Sequence, residues 1–408
     1  MKQPDVKSRP GLYQLVWPDY NVGMQFSRLH DSHGAVTADL EVRSMVPGIE
    51  SNLHYSRLTL TSAPAQEKIA KRLDEQMNTI NWNIAMNQAC MIVMQLHRKG
   101  EPAKPLTTDQ AIRPPKYLVW PVLPENHPSI IFGDGGTGKS RFALVLALCL
   151  LTGWDDNPFG LKLAPGQRPV LLLDWETDED TALWELQRLQ NGLSRPHCQM
   201  HYRRCSFRFI DDLPQIQELL NNIEPALVII DSIGPAVTGD LNLTEGALAL
   251  MTALRQLNVT TLSIAHTSKT EGQNKTVFGS RFFQNLARSV WEVKKHQEVG
   301  DDELSMGVFC RKANLSQIFK PLGFRFNFFD DDGVVVSREQ VKDLPELSKE
   351  LPLRDQIAGI LNRGPMTVQD IAEELEKSPE SVRTQFSRHK DMFTRVGDRW
   401  GLTHHERK

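Results

Sequence analysis

The sequence predicts an α/β core flanked by two smaller units, on three observations. Apolar runs at 128–132, 170–176, 226–232 and 259–265 alternate with helical stretches, as buried parallel strands do. The first run leads into a glycine-rich turn and then into an apolar helix. Polar stretches rich in proline or charge, at 101–115 and 339–352, divide this core from what precedes and follows it.

At 408 residues the chain has room for about two to four domains. A net charge of −3 with 24% charged residues excludes a histone-like polycation, so any nucleic-acid surface must be a local patch. The five cysteines, Cys90, Cys149, Cys198, Cys205 and Cys310, are scattered and odd in number, which points to reduced thiols rather than a disulfide frame. The opening Met1-Lys2-Gln3-Pro4-Asp5 has no secretory pattern. The longest apolar stretch, 142–154, falls short of the ~20 residues of a membrane span. A cytoplasmic protein with no membrane partner is expected.

Residues 11–17, 23–30, 35–45 and 53–61 alternate as strands, separated by turns at Pro18-Asp19, Asp31-Ser32-His33-Gly34 and Pro47-Gly48. Residues 65–77 and 82–98 follow as helices, so 1–100 reads as an α+β domain of unassigned role. Its basic residues Arg28, Arg43 and Arg57 suit a solvated face as well as a DNA platform. Pro102, Pro105, Pro114 and Pro115 mark 101–115 as a linker, and 116–338 forms the α/β core.

The turn in the core reads Gly133-Asp134-Gly135-Gly136-Thr137-Gly138-Lys139-Ser140, with Arg141 opening the helix behind it. This fits G-x-x-x-x-G-K-[ST], whose backbone N–H groups and helix N-terminus cradle a polyphosphate. Lys139 is expected on the β- and γ-phosphates of ATP and Ser140 on Mg²⁺. The strand 226–232 ends in Asp231, a second Mg²⁺ residue, followed by Ser232 where many such proteins carry an acid. The acid that activates water must therefore come from elsewhere. Glu176 is the candidate, on a strand expected to neighbour the P-loop strand. Asp174 is the alternative, and both acids could instead cap helix 178–189. His266 ends the strand 259–265 beside the Asp231 strand. It suits either a γ-phosphate sensor or a hydrogen-bonded structural histidine.

The set of P-loop, Leu173-Asp174-Trp175-Glu176, Asp231-Ser232, His266-Thr267-Ser268-Lys269, Gly279-Ser280-Arg281 to Arg288, and Arg311-Lys312-Ala313-Asn314 resembles the RecA/DnaB-type core. It is most similar to the RepA-like hexameric ATPases of plasmids and phages, over about residues 116–330. The resemblance implies a RecA-like P-loop NTPase fold assembled as a homo-oligomer, a ring of six, with ATP between subunits. It also implies a basic residue inserted from the neighbour to stabilise transition-state charge. Arg288, Arg311 and Lys312 compete for that role, because Asn314 stands where DnaB-like helicases often have arginine. The resemblance further implies that the loops 234–243 and 270–278 line a channel for single-stranded DNA, with Lys269, Lys275 and Arg281 on phosphates.

Residues 352–363, 368–376 and 380–389 read as helices, and 392–396 with 399–402 as a hairpin. Three helices and a hairpin over 353–408 look like a winged helix-turn-helix. Arg383, Arg388 and Lys390 on or after the third helix, and Arg395 and Arg399 on the wing, would meet duplex DNA. Such modules also bind proteins.

His197, Cys198, His201 and Cys205 match no common zinc spacing, and 202–210 reads as a strand that points alternate side chains apart. Asn274-Lys275-Thr276-Val277 lacks the aspartate of a guanine-reading motif. Trp82, Trp154 and Trp184 read as packing residues. The expectation is a DNA-dependent, Mg²⁺-ATP-hydrolysing helicase or translocase. The alternatives are an ATP-switched DNA-binding regulator that does not unwind, and a recombination or repair ATPase.

Overall fold

In the computed structural model, residues 1–9, 11–32, 34–48, 51–99, 103, 105–108, 111, 114–237, 244–267, 281–329 and 333–403 are described. The N-terminal strands β1 (Asp5–Arg9), β2 (Leu12–Trp17), β3 (Val22–Ser32), β4 (Ala35–Ser44) and β5 (Asn52–Thr59) form an antiparallel sheet in sequence order. Alternation on β2 and β4 sends Leu15, Trp17, Val36, Ala38, Leu40 and Val42 to one face. Helices α1 (Ala63–Gln76) and α2 (Trp82–Lys99) cover that face with Leu73, Trp82, Met86 and Val93. Strand β1 was not foreseen. All its residues are exposed, so no alternation betrays it. The three arginines are not a free platform: Arg28 meets Glu218 and Asp39, Arg43 meets Glu41, and Arg57 meets Asp39.

The core opens with β6 (Tyr117–Trp120), β7 (Leu123–Pro124), β8 (Pro128–Gly133), α3 (Lys139–Thr152) and β9 (Lys162–Leu163). It continues through β10 (Val170–Asp174), α4 (Glu179–Gly192), β11 (His201–Arg204), α5 (Leu213–Ile223) and β12 (Leu227–Asp231). Then come α6 (Ile233–Ala236), α7 (Thr244–Gln256), β13 (Thr260–His266), α8 (Arg281–Leu286), β14 (Ser289–His296), β15 (Glu303–Ala313), β16 (Leu322–Phe329) and β17 (Gly333–Glu339). Among the described residues, nine strands make one sheet in the order β11-β10-β12-β13-β8-β14-β15-β16-β17. It is parallel from β11 to β14 and antiparallel beyond. Strands β8 and β10 are buried along their whole length because helices cover both faces, which explains their unbroken apolar runs. The P-loop helix α3 is apolar all round for the same reason.

Two expectations are corrected by this order. The Glu176 strand, β10, does not neighbour the P-loop strand; β13 and β14 do, and β10 lies between β11 and β12. The strand expected over 202–210 stops at Arg204, where the chain turns: Arg208 and Asp211 pair within one turn ahead of α5. Helix α5 is also where the N-terminal sheet rests. Arg9 pairs with Glu224 at 2.8 Å and Arg28 with Glu218 at 3.0 Å. Gly11, at φ +72°, lies so close that a side chain there would strike Gln217 Oε1 at 2.0 Å.

Residues 341–351, expected as part of a linker, are instead packed. Val341, Leu344, Leu347 and Leu351 close over Phe309, with α9 (Pro345–Ser348) among them. Beyond lie α10 (Leu353–Leu361), β18 (Met366–Thr367), α11 (Val368–Glu374), α12 (Pro379–Arg388), β19 (Phe393–Val396) and β20 (Arg399–Leu402). Ser378 caps α12 ahead of Pro379, and Thr367 with Asp370 forms a capping box on α11. Phe386 stacks on Trp400 at 4.1 Å and meets Phe393 edge-on at 5.1 Å. No described helix is long and apolar enough to cross a membrane.

Candidate nucleotide site

The parallel strands all end at one edge of the sheet, and the polar residues foreseen at those ends meet there. The loop after β8 turns through left-handed Gly136 (φ +67°) and Gly138 (φ +83°). A Cβ on Gly138 would meet Met306 Cε at 2.6 Å, and one on Gly133 the Val293 carbonyl at 2.4 Å, so those positions admit only glycine without rearrangement. Lys139 is buried, and its ammonium donates to the carbonyls of Gly133 (3.0 Å) and Asp134 (2.8 Å). Burial lowers its pKa, while Asp231, Glu176 and Asp134 oppose that. Thr137 donates to the Asp134 carbonyl, and Thr267 donates to the Asp134 carboxylate. The loop borders a cavity of about 270 Å³ running between α3 and α4, over Asp174, Glu176, Asp231 and His266.

Asp231 ends β12. Burial pushes its carboxyl up to about 6, Glu176 and Asp174 add to the rise, and a hydrogen bond with Ser140 opposes it. Its Oδ1 is buried with no partner among the described residues. A buried carboxylate oxygen lacking a donor, beside a hydroxyl, is the donor set that a hard divalent cation accepts. Among the described residues no group of three or more metal-ligating side chains occurs. A two-residue foothold suits Mg²⁺, which keeps waters and phosphate oxygens as its remaining ligands. These residues therefore fit Mg²⁺ held jointly with a phosphate tail.

Glu176 follows β10 and stands at the strand ends opposite Asp231. Its Oε1 accepts the Ser232 hydroxyl and lies 3.3 Å from His266 Nε2. Asp174 is otherwise engaged. It is buried, and it accepts from the Glu176 N–H (2.8 Å), the Thr177 N–H (3.0 Å), the Thr177 hydroxyl (2.5 Å) and the Tyr202 hydroxyl (3.4 Å). Asp174 thus builds the turn that presents Glu176. Neither acid caps α4; Asp178 does, through the Thr181 N–H. Sequence reasoning missed Ser232 and Thr267 as donors. The signal available was that each directly follows the polar residue that ends a strand, Asp231 and His266.

The remaining basic residues divide. Arg141 forms a two-bond pair with Glu185 of α4 at 2.9 and 2.6 Å and lies over the Phe328 ring. Arg311 is paired to buried Glu292 at 2.6 Å. Lys312 donates to the carbonyls of Gln284 and Asn285 at the end of α8, and Arg255 to that of Leu286. Arg288 makes no side-chain hydrogen bond or ion pair among the described residues. It precedes β14 at the level of Pro128, so it and Lys312 stand at the sheet edge opposite the P-loop. Burial together with Arg288 and Arg255 lowers the pKa of Lys312 and of His127. Lys269 and Lys275 lie outside the described residues, as does the side chain of Arg281. In the C-terminal unit Arg383, Arg388, Lys390, Arg395 and Arg399 are exposed and lack carboxylate partners among the described residues. His197 bonds Gln190 and Cys205 is buried, in no metal cluster among the described residues.

Residues 101–272 match the family described as "AAA domain". That match spans the P-loop, both acid-tipped strands and β13. The core itself is a mixed α/β unit with a parallel-rich sheet and a P-loop sequence. Solved structures similar to the chain include a KaiC-like protein from the hyperthermophilic archaeon Pyrococcus horikoshii, at 19% identity and TM-score 0.38 over 54% of this chain and 93% of that one. Another is the flagellar accessory protein FlaH from Methanocaldococcus jannaschii, at 16% identity and TM-score 0.37 over 53% and 91%. At that overlap nothing of their activity carries over. No curated protein matches the chain.

Proposed function

We propose that the chain is an oligomeric, Mg²⁺-dependent ATPase of the RepA-like kind that works on DNA as a helicase or translocase. The observation that carries the reading is the constellation at the strand ends, where Glu176, held by Ser232 and His266, faces Lys139, Ser140 and Asp231 across one cavity. In this reading Ser140 and Asp231 hold Mg²⁺, and Lys139 leaves its loop carbonyls for the phosphates. Glu176 orients and deprotonates the attacking water, and His266 senses γ-phosphate through the same carboxylate. Arg288 and Lys312 stand well down the sheet from their own P-loop, about 17 Å and about 10 Å respectively at 3.3 Å per residue. Any phosphate they stabilise belongs to a neighbouring subunit, which supports a ring or other closed assembly. The segment between β13 and α8, which carries Lys269 and Lys275, together with Arg281 at the start of α8, is the proposed grip on single-stranded DNA.

The deciding experiment measures ATP hydrolysis without DNA, with single strands and with duplex, for wild type and Glu176→Gln. Stimulation by single strands that vanishes in the variant supports the motor. Hydrolysis indifferent to DNA removes it. A second reading, an ATP-switched DNA-binding regulator, is favoured by the exposed basic residues of the C-terminal unit. It takes that unit as a winged helix that chooses a duplex site. Strand displacement on a forked duplex separates the two.

A further inference from the structure

Lys295 is a basic side chain that sequence reasoning did not single out, and the fold brings it to the P-loop. Along β14, Trp291 and Val293 point into the core on the α3 side, and Lys295 continues that face past the end of the β8 pairing. Its partner across the ladder is Met306 of β15. The pair flanks the loop: Met306 Cε packs against Gly138, and Lys295 Nζ lies 3.9 Å from where a Cβ on Gly136 would stand. Strand β14 is fixed there, since the Val293 carbonyl abuts Gly133 and Glu292 pairs in register with Phe132.

The charge of Lys295 has no other use among the described residues. Its neighbour Lys294 points to the opposite face and is taken up by Glu350 at 2.5 Å and Glu292 at 3.7 Å. Lys295 is exposed and makes no hydrogen bond or ion pair among the described residues. An unpaired ammonium at the lip of a loop whose N–H groups turn inward adds to the positive potential there.

We propose that Lys295 is a second phosphate-contacting lysine of the nucleotide site, acting in cis from β14 and binding the polyphosphate tail alongside Lys139. This rests on the nucleotide reading of the P-loop. The contact is a charge-assisted hydrogen bond at a solvent-exposed rim, so its removal should weaken polyphosphate binding about 5- to 20-fold.

The test is equilibrium binding of ATP, ADP and inorganic tripolyphosphate with Mg²⁺ to the full chain, for wild type, Lys295→Met, Lys295→Arg and Lys139→Ala. Unliganded melting temperatures serve as a check on folding. In Lys295→Met we expect all three ligands to bind about 5- to 20-fold more weakly, with a shallower salt dependence and unchanged melting. Lys295→Arg should recover the affinity. If Lys295→Met binds all three like wild type while Lys139→Ala does not, the Lys295 assignment is wrong and the nucleotide site stands. If wild type binds none of them, the nucleotide reading fails and this assignment with it. A weakening that Lys295→Arg does not recover also overturns the proposal, because a charge contact tolerates arginine.

Discussion

Glu176 and His266 meet at 3.3 Å over the end of β12, and the Ser232 hydroxyl bonds the same carboxylate oxygen. One oxygen therefore ties the ends of β10, β12 and β13 together. A carboxylate held this way has a fixed geometry, and on the proposed reading a change in His266 position would reach the water-activating group directly.

Glu176→Gln should lower hydrolysis about 10²- to 10⁴-fold while leaving nucleotide binding within about 2-fold. Asp174→Asn should behave in the opposite manner. It weakens a buried acceptor of two backbone and two side-chain bonds, so stability should fall by about 1–3 kcal/mol. Single-turnover hydrolysis beside a thermal melt of each variant makes the comparison. If Asp174→Asn abolishes hydrolysis in a fully stable protein, the two acids have been assigned the wrong way round.

Asp231 gives a pH dependence with a definite sign. Its folded pKa of about 6 lies above its ordinary 3.8, so the folded state binds this proton more tightly than the unfolded. The unliganded protein should lose stability from this group as pH rises between about 4 and 6, by about 2–3 kcal/mol in all, and lose no more above that. If Asp231 holds Mg²⁺ as proposed, the ion competes with the same proton, and Mg²⁺-nucleotide stabilisation should fade as pH drops below about 6. Asp231→Asn removes the buried charge. Its unliganded melting temperature at about pH 7.5 should exceed that of wild type, and Mg²⁺-ADP should no longer raise it. A variant with the wild-type pH profile would show that Asp231 is not the group responsible.

Arg311 and Arg288 are separated by what they already hold. Arg311→Met leaves buried Glu292 with only Lys294 at 3.7 Å and should cost about 1–3 kcal/mol of stability. Arg288→Ala breaks no described bond and should leave the melt within about 0.5 kcal/mol. If Arg288 reaches a neighbour's phosphates, hydrolysis in that variant should fall steeply only where wild type is assembled. Mixing it with Lys139→Ala subunits should restore activity in part, since each defect then sits in a different half of a shared site. No recovery, with hydrolysis independent of protein concentration, argues against a shared site.

What the sequence disclosed was local. The P-loop, Asp231, Glu176 and His266 each sit at the end of an apolar run, and a strand end is visible in one stretch of chain. What stayed hidden depends on distant segments. The placement of β10 away from β8 is decided by β12 and β13, which lie between them in the sheet. Strand β1 has no buried face to create a pattern. Residues 341–351 look like a linker because Val341, Leu344, Leu347 and Leu351 find their partner in distant Phe309. Lys295 carries no motif, and its meaning comes from the ladder that sets it opposite Met306. The engagement of Arg311 with Glu292 was likewise unreadable, because the pairing depends on the register of two antiparallel strands.

The C-terminal unit separates charge from fold. Its core is small, and Phe386 stands at its centre, stacked on Trp400 and edge-on to Phe393. Phe386→Ala should cost about 3–5 kcal/mol there, enough to unfold the unit while the α/β core, with its own buried clusters, still melts cooperatively. Arg383 and Arg388 lie on the exposed side of the same helix, away from Val382 and Phe386, so Arg383→Glu with Arg388→Glu should leave the fold intact. If this helix meets DNA, the charge-reversed protein should bind duplex at least about 10-fold more weakly. Its salt slope should be reduced by about 0.9 for each phosphate that is no longer neutralised. Hydrolysis without DNA should be unchanged, because neither residue belongs to the strand-end constellation. Titrating labelled duplex at several salt concentrations reads both quantities. Equal affinity and equal slope for the two proteins would move the DNA contact off this helix and leave the unit as a surface for protein partners.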